Sequence, residues 1–333
     1  MTAETDPLLM LGIDVGGTDV KLGLVDALGT IVQTHRTSTR ELGTPHRVFQ
    51  YAMEFADAAI QDSSLGSGRL AGVGLAVPGV LDERDFVLRE VVNLPGWLDV
   101  PLLEILSTIS RLPSAVVNDA NSAAYAEHSL RNLGDRSLAL VTLGTGIGCG
   151  LVLRGSPFGG DHGCAGELGH IAIEFGEQAL PCTCGSRGHL ESYAGAQGVI
   201  AQLRTALDDD ASAEIDPRLR APDVTPRHLA EAAESGDSTA LAVVEQTARY
   251  IGQAIGLMGQ VLDPAVVLLG GAMTFGGNKT RAGNAFLTTV IDTVRATTLV
   301  QVGGNVQIEF ASLGNNAGLL GAAMVAKQQA FHQ

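Results

Sequence analysis

The sequence is short of positive charge, of aromatic rings and of cysteine. It has 21 Lys and Arg against 36 Asp and Glu, a net charge of −15. A field of that sign repels a polyanion, which argues against nucleic acid as the main partner. A phosphorylated nucleotide remains compatible, because a local site can meet phosphate with backbone N–H groups and a metal ion. Four cysteines in 333 residues do not make a disulfide framework. No apolar run reaches the roughly 18 residues of a membrane span. The opening "MTAETDPLLM" has no basic region followed by an apolar run, so it does not read as a signal peptide, and a cytoplasmic protein is expected. Two phosphate motifs are also missing: the single loop ending in Gly-Lys-Ser/Thr and the glycine fingerprint that opens a helix.

The chain is rich in glycine, with 42, while aromatics make up only 4%. Small residues permit tight turns and close backbone approach, which nucleotide-binding folds use. Hydrophobic residues, at 45%, suffice for an ordinary core, and 333 residues suit two domains or one large α/β unit.

The patterning alternates strands and helices. "LLMLGIDVGG" reads as a buried strand entering a glycine turn, and "VKLGLVDALGTIVQTHRTST" as two further strands around "DALG". "HRVFQYAMEFADAAIQ" has helical periodicity. "LAGVGLAVPG" is a strand, "VPLLEILSTIS" a helix, "SAVVND" a strand and "ANSAAYAEHSL" the helix after it. "SLALVTLGTGIGCGLVLRG" then repeats the opening pattern of strand, Gly-Thr turn and strand, an internal duplication of one hairpin. "PRHLAEAAESGDSTALAVVEQTARYIGQAIGLMGQVLD" reads as two helices and "PAVVLLGGAM" as a strand. "ASLGNNAGLLGAAMVAKQQA" is a closing helix that Asn315 or Asn316 would cap. "LDDDASAEIDPRLRAPD" reads as a surface loop.

Several stretches carry chemistry. In "DVGGTDVK" a strand delivers Asp14, and Gly16, Gly17 and Thr18 turn the chain back so that N–H groups can face phosphate. Asp14 can hold a Mg²⁺ water. A plain β-hairpin would read the same way. "GTGIG", Gly144 to Gly148, is a second such turn, and two together suit the two sides of a phosphate tail. "NDANSAAYAEH" puts Asn118 and Asp119 at a strand end, where open α/β sheets bind ligands. Asp119 could accept a hydroxyl proton, or simply cap the following helix. In "HIAIEFGEQALPCTCGSRGHLES", His170, Cys182, Cys184 and His189 make a donor set suited to tetrahedral Zn²⁺. Four protein ligands leave no open position, so that metal is structural and a zinc hydrolase is disfavoured. Cys149 and Cys164 read as small core residues.

In this order, "DVGGTDVKLGLVD", "GVGLAVPG", "NLPGW", "NDANSAA", "TLGTGIGCGLV", "AGELGH", "CTCGSRGHLESYAG", "VVLLGGAM" and the final "AGLLGAA", the chain resembles the ROK family (repressors, open reading frames and sugar kinases). The resemblance implies a two-lobed actin-like (ribonuclease H-like) ATPase fold of α/β class, with mixed sheets flanked by helices. The implied division is 1–118 plus 315–333 as a small lobe completed by the C-terminal helix, and 119–314 as a large lobe with the zinc loop and nucleotide site. It implies ATP-dependent phosphorylation of a hexose or hexosamine hydroxyl, as in a glucokinase, with Asp119 as general base. Asp14, Gly16, Gly17, Thr18, Gly144, Thr145 and Gly146 look like phosphate binders, and Gly270 and Gly271 like the turn beside the adenosine. Asn118, Glu167, His170 and Glu191 look like sugar binders, with Gly79 and Asn93 in the same pocket. His170, Cys182 and Cys184 look like zinc ligands, and His189 stands where the family's C-x-C-G-x-x-G-C-x-E pattern has its last cysteine. Asp19 stands where the family commonly has Lys, with Lys21 two places on.

The implied cofactors are ATP, Mg²⁺ and a structural Zn²⁺. The implied partners are a small-molecule sugar and a second copy in a homodimer, with no nucleic acid and no membrane. The alternative is a sugar-sensing relative or repressor without catalysis. About ten residues precede the first strand, fewer than a helix-turn-helix module needs, which favours the kinase reading.

Overall fold

The computed structural model describes residues 7–62, 68–91, 94–209 and 215–331. By packing, the chain forms two compact units: 1–136 with 150–166 and 313–333, and 137–149 with 167–312.

The first unit is built on a five-stranded mixed sheet in the order β3-β2-β1-β4-β7. Strands β1 (Leu8–Val15), β2 (Asp19–Asp26) and β3 (Ile31–Ser38) form the antiparallel meander that their turn residues predict. The helices α1 (Thr39–Leu42) and α2 (Pro45–Gln61) follow, then β4 (Arg69–Val77), parallel to β1. A small hairpin, β5 (Val80–Asp82) and β6 (Val87–Glu90), precedes α3 (Leu102–Ser110). Then come β7 (Ser114–Asn118), parallel to β4, and α4 (Asp119–Leu130).

One face of this sheet packs on α2 and α3 through Leu11, Ile13, Leu22, Val48, Phe49, Leu75, Trp97 and Leu102, all fully buried. The apolar residues of α2 at 48, 49, 52, 56 and 59 recur at helical spacing and point into this core. The other face takes the C-terminal helix, numbered α11 in chain order (Ala317–Phe331). A Cβ on Gly12 or Gly74 would overlap the α11 carbonyls of Leu319 and Ala322, so these strand glycines let the helix lie against the sheet. The sequence divides the chain at Asn118/Asp119, whereas packing groups α4 with the first unit, because α4 lies along α11.

The second sheet has the order β10-β9-β8-β11-β12. Numbered from its own first strand this is again third, second, first, fourth, fifth, so the duplication read from the glycine hairpins is a duplication of topology. Its strands are β8 (Leu138–Leu143), β9 (Ile147–Leu153), β10 (Ser156–Pro157), β11 (Val266–Gly270) and β12 (Gln307–Phe310), and the division between units falls within β9. Helices of the second unit are α5 (Leu190–Ala194), α6 (Ala196–Asp209), α7 (Pro226–Glu234), α8 (Ser238–Leu262), α9 (Arg281–Thr297) and α10 (Val300–Gly303).

Three sequence expectations change. Leu207–Asp209 belong to α6 and Pro217–Arg220 form a 3₁₀ turn, so the expected surface loop is partly helical; residues 210–214 lie outside the described residues. Gly314–Asn316 form a 3₁₀ turn running directly into α11, in place of a side-chain cap by Asn315 or Asn316. Cys164 is exposed, on the glycine-rich turn after β10, where no apolar periodicity directs it inward.

Candidate active site

In the first unit β1, β4 and β7 run parallel, so their C-terminal ends share one sheet edge. Asp14, Gly16, Gly17, Thr18, Gly79, Asn118 and Asp119 all lie at that edge. The Gly16–Thr18 turn is closed by Gly16 N–H donating to the Asp19 carbonyl at 2.8 Å. It is anchored by the Thr39 hydroxyl donating to the Gly16 carbonyl at 2.7 Å.

Asp14 and Lys21 are cross-strand partners in the β1–β2 register. Lys21 Nζ donates to Asp14 Oδ2 at 3.0 Å and to the Asn315 carbonyl at 3.1 Å. Asp19, in the place of the family's lysine, is held by Arg36 of β3 at 2.5 Å, and this bond lowers its carboxyl pKa. The cation that reaches Asp14 is therefore Lys21. The residue type did not reveal this; the hairpin register does.

Of the two roles weighed for Asp119, the capping of α4 falls to Asn118. Asn118 is the N-cap of α4, its Oδ1 accepting from Ala120 N–H at 2.9 Å and from Asn121 N–H at 3.2 Å. One of its amide hydrogens goes to the Gly79 carbonyl at 3.1 Å. Asp119 is the first helical residue, half-buried, with Oδ1 accepting from Ala120 N–H at 2.8 Å. Asn93 lies outside the described residues.

In the second unit β8 and β11 run parallel, which puts Gly144–Gly146 and Gly270–Gly271 at one sheet edge. Gly271 has φ +90°, and a Cβ there would overlap the Leu143 carbonyl, so this turn requires glycine. Beyond it lies a cavity of about 630 Å³ lined by Arg218, Arg227, Glu231, Met273, Phe275 and Thr280 among others. Arg218 bonds Asp216 and Glu231, and holds the Asp216 carboxyl down to about 2. No sequence motif pointed to this cavity, because its walls come from distant segments.

His170, Cys182, Cys184 and His189 converge, with one donor atom from each within 4.8 Å of the others. His170 Nδ1 is 3.4 Å from His189 Nδ1 and 3.8 Å from Cys182 Sγ, and Cys184 Sγ is 3.2 Å from His189 Nδ1. A tetrahedral zinc ion with ordinary bond lengths spaces its ligands by about 3.3 Å (N···N) and about 3.6 Å (N···S). Soft thiolates and imidazoles are the donors zinc takes, so the four residues fit the ion. The Cys184 thiol pKa is lowered, chiefly by the Ser186 N–H, which favours the ligating thiolate.

Glu167 Oε2 lies 4.0 Å from His170 Nε2, the ring nitrogen outside the cluster. Glu191 is half-buried, and its Oε2 accepts the Ile147 N–H at 2.9 Å. Cys149 is buried as expected, its thiol pushed up to about 12 by burial and by the charge of Glu167.

The ROK family pattern matches residues 10–329. A glucokinase of Halalkalibacterium halodurans is 32% identical over 96% of this chain and 95% of its own length. A putative xylose repressor of Caldicellulosiruptor is 26% identical over 95% of this chain, which spans 78% of that protein. Among solved structures, a ROK hexokinase from Thermus thermophilus superposes with TM-score 0.76 at 31% identity, over 98% of this chain and 100% of that one. A Streptomyces griseus ROK glucokinase, solved with glucose and AMPPNP, gives TM-score 0.69 at 28% identity, over 96% and 99%. The repeated five-stranded mixed sheet is that of the actin-like ATPase fold, and the chain belongs to the ROK family.

Proposed function

We propose that the protein transfers the terminal phosphoryl group of ATP to a hydroxyl of a hexose or hexosamine. The observation that carries this reading is the chemistry gathered at the carboxyl edge of the first sheet. An acidic side chain, Asp119, opens a helix there, on the same edge as a glycine hairpin and its own carboxylate, Asp14. Similarity to glucokinases over nearly the whole chain supports it.

In this reading Asp119 accepts the proton of the attacking hydroxyl. Its hydrogen bond to Ala120 N–H fixes the rotamer, so the carboxylate needs no reorganisation when the proton arrives. The N–H groups of Gly17, Thr18, Thr145 and Gly146, in turns that the Gly16 and Gly144 N–H groups close, bind phosphate oxygens, which a chain of net charge −15 would otherwise repel. Mg²⁺, a hard cation that takes carboxylate oxygen, would be held through Asp14 and would neutralise phosphate charge. Gly270 and Gly271 and the cavity beyond them take the nucleoside.

His170 keeps Nδ1 in the metal cluster, so Nε2 is the nitrogen left for a sugar hydroxyl. Glu167 and Glu191 supply carboxylate acceptors, and Asn118, Gly79 and Asn93 complete the sugar's surroundings. The metal cluster is a structural zinc site, and the protein acts as a homodimer.

ADP release measured over a panel of sugars with ATP tests the activity. Asp119→Asn should lower turnover by about 100- to 10,000-fold while sugar affinity stays near wild type. Near-normal turnover in that variant would remove Asp119 from the mechanism. A sugar-sensing relative without catalysis would bind sugar, give no ADP with any member of the panel, and shift promoter DNA in a gel.

A further inference from the structure

The segments that carry His170 and His189 both touch the Gly144–Gly148 hairpin, and Ile147 is where they meet it. The hairpin turn is closed by Gly144 N–H donating to the Gly146 carbonyl at 3.0 Å. What holds this turn in place comes from the segments that carry the metal ligands. Glu191, two residues after His189, takes the Ile147 N–H on Oε2 at 2.9 Å. A Cβ on Gly146 would overlap that same carboxylate, so Glu191 lies flat against the turn. Ala196 N–H donates to the Gly144 carbonyl at 3.1 Å. On the other side Gly169, immediately before His170, sits against the Ile147 carbonyl closely enough that a Cβ there would overlap it.

Ile147 is thus hydrogen-bonded at its N–H by the His189 segment, and its C=O abuts the His170 segment. The two segments are also joined to each other. Leu190 N–H donates to the Ile171 carbonyl at 3.0 Å, and Ala172 bridges His189 in antiparallel register. Immediately after Gly169 and two residues before Glu191, His170 Nδ1 and His189 Nδ1 stand 3.4 Å apart with the two sulfurs beside them. An ion there would tie the two segments together beside their contacts with Ile147.

We propose that the His170/Cys182/Cys184/His189 metal site braces the Gly144–Gly148 hairpin through Glu191 and Gly169, so that metal occupancy and Glu191 set affinity for the nucleotide phosphates. The inference rests on reading that hairpin as a phosphate site. It gives Glu191 a positioning role toward the nucleotide, separate from any contact with sugar.

The test measures Mg·ADP affinity calorimetrically in the absence of sugar. The samples are the zinc-loaded chain, the same chain after chelation, Glu191→Ala and Glu191→Gln. Hydrogen exchange of the peptide covering the hairpin is followed in all four. Chelation should weaken Mg·ADP binding by about tenfold or more and speed exchange at residues 144–148. E191A should do the same with zinc retained by metal analysis. E191Q keeps an acceptor for the Ile147 N–H and should recover most of the affinity.

Unchanged nucleotide affinity and unchanged hairpin exchange in E191A, with zinc bound, would overturn the proposal. So would unchanged values after chelation of a chain that stays folded. If chelation unfolds the chain, E191A and E191Q, which keep all four ligands, decide alone. A zinc-loaded wild type that binds no Mg·ADP would overturn the phosphate reading itself, and hairpin exchange in E191A would still judge the brace.

Discussion

Asn118 and Asp119 are neighbours with separate work, and the backbone divides it. The last strand residue has extended geometry and its side chain caps α4; the next residue is already helical and its carboxylate stands at the helix entrance. Asn118→Ala should destabilise the protein by about 0.5–2 kcal/mol, read as a shift of the denaturant midpoint, because the Asn121 N–H loses its acceptor and the Ala120 N–H keeps only Asp119 Oδ1. Cys149 carries a pH prediction. Its folded thiol is pushed up to about 12, above an ordinary thiol, so the native state keeps a proton that the unfolded chain releases. Stability therefore falls as pH rises through the ordinary thiol range toward 12, at no more than about 1.4 kcal/mol per pH unit from this group. Cys149→Ala should flatten that limb in urea melts taken between pH 8 and 10.5; an unchanged slope refutes the assignment. Residue identity alone could not separate Cys149 from Cys164. Both sit among glycines, and only the strand under one and the turn under the other put the first inside and the second in water.

At the scale of elements, α11 shows how a helix can serve a site through its backbone. Its first turn brings Gly318 against Asp14, and a Cβ there would stand 2.8 Å from the Asp14 carboxyl carbon. Gly318→Ala should displace that carboxylate and weaken Mg·nucleotide binding by about 10- to 100-fold while the melting temperature moves little. Calorimetry with Mg·ADP beside a thermal melt checks both halves. The main elements were legible because their patterns are strong: continuous apolar runs in the buried strands, the 3.6-residue stripe of α2, glycine turns at the strand ends. The partly helical stretch after Leu207 was not, because polar residues dilute the periodicity there. Helix α9 carries a comparable stripe, with Ala282, Phe286, Val290 and Val294 four apart, but among threonines of low helix propensity.

At the scale of the whole molecule, each unit is assembled from separated stretches of chain. Leu319, Leu320, Ala322 and Ala323 of α11 are buried against the first sheet, far in sequence from the strands they cover. Removing 313–333 should therefore abolish cooperative folding of the first unit, seen as lost near-ultraviolet dichroism and rapid proteolysis of residues 7–130. No helix among the described residues is long and apolar enough to cross a membrane. By itself the sequence determined the duplicated strand–turn–strand pattern, through periodicity, and gathered Cys and His side chains at short spacing, while its ordered motifs carried the resemblance to the family. Only the tertiary structure decided that Lys21 answers Asp14, that Asn118 is the cap, and that Glu191 grips Ile147 beside the metal loop. The first joins two side chains 7 residues apart, the last a side chain and a backbone N–H 44 residues apart, and the cap is set by the geometry of the strand end; no local pattern encodes which hydrogen bond a carboxylate finally makes.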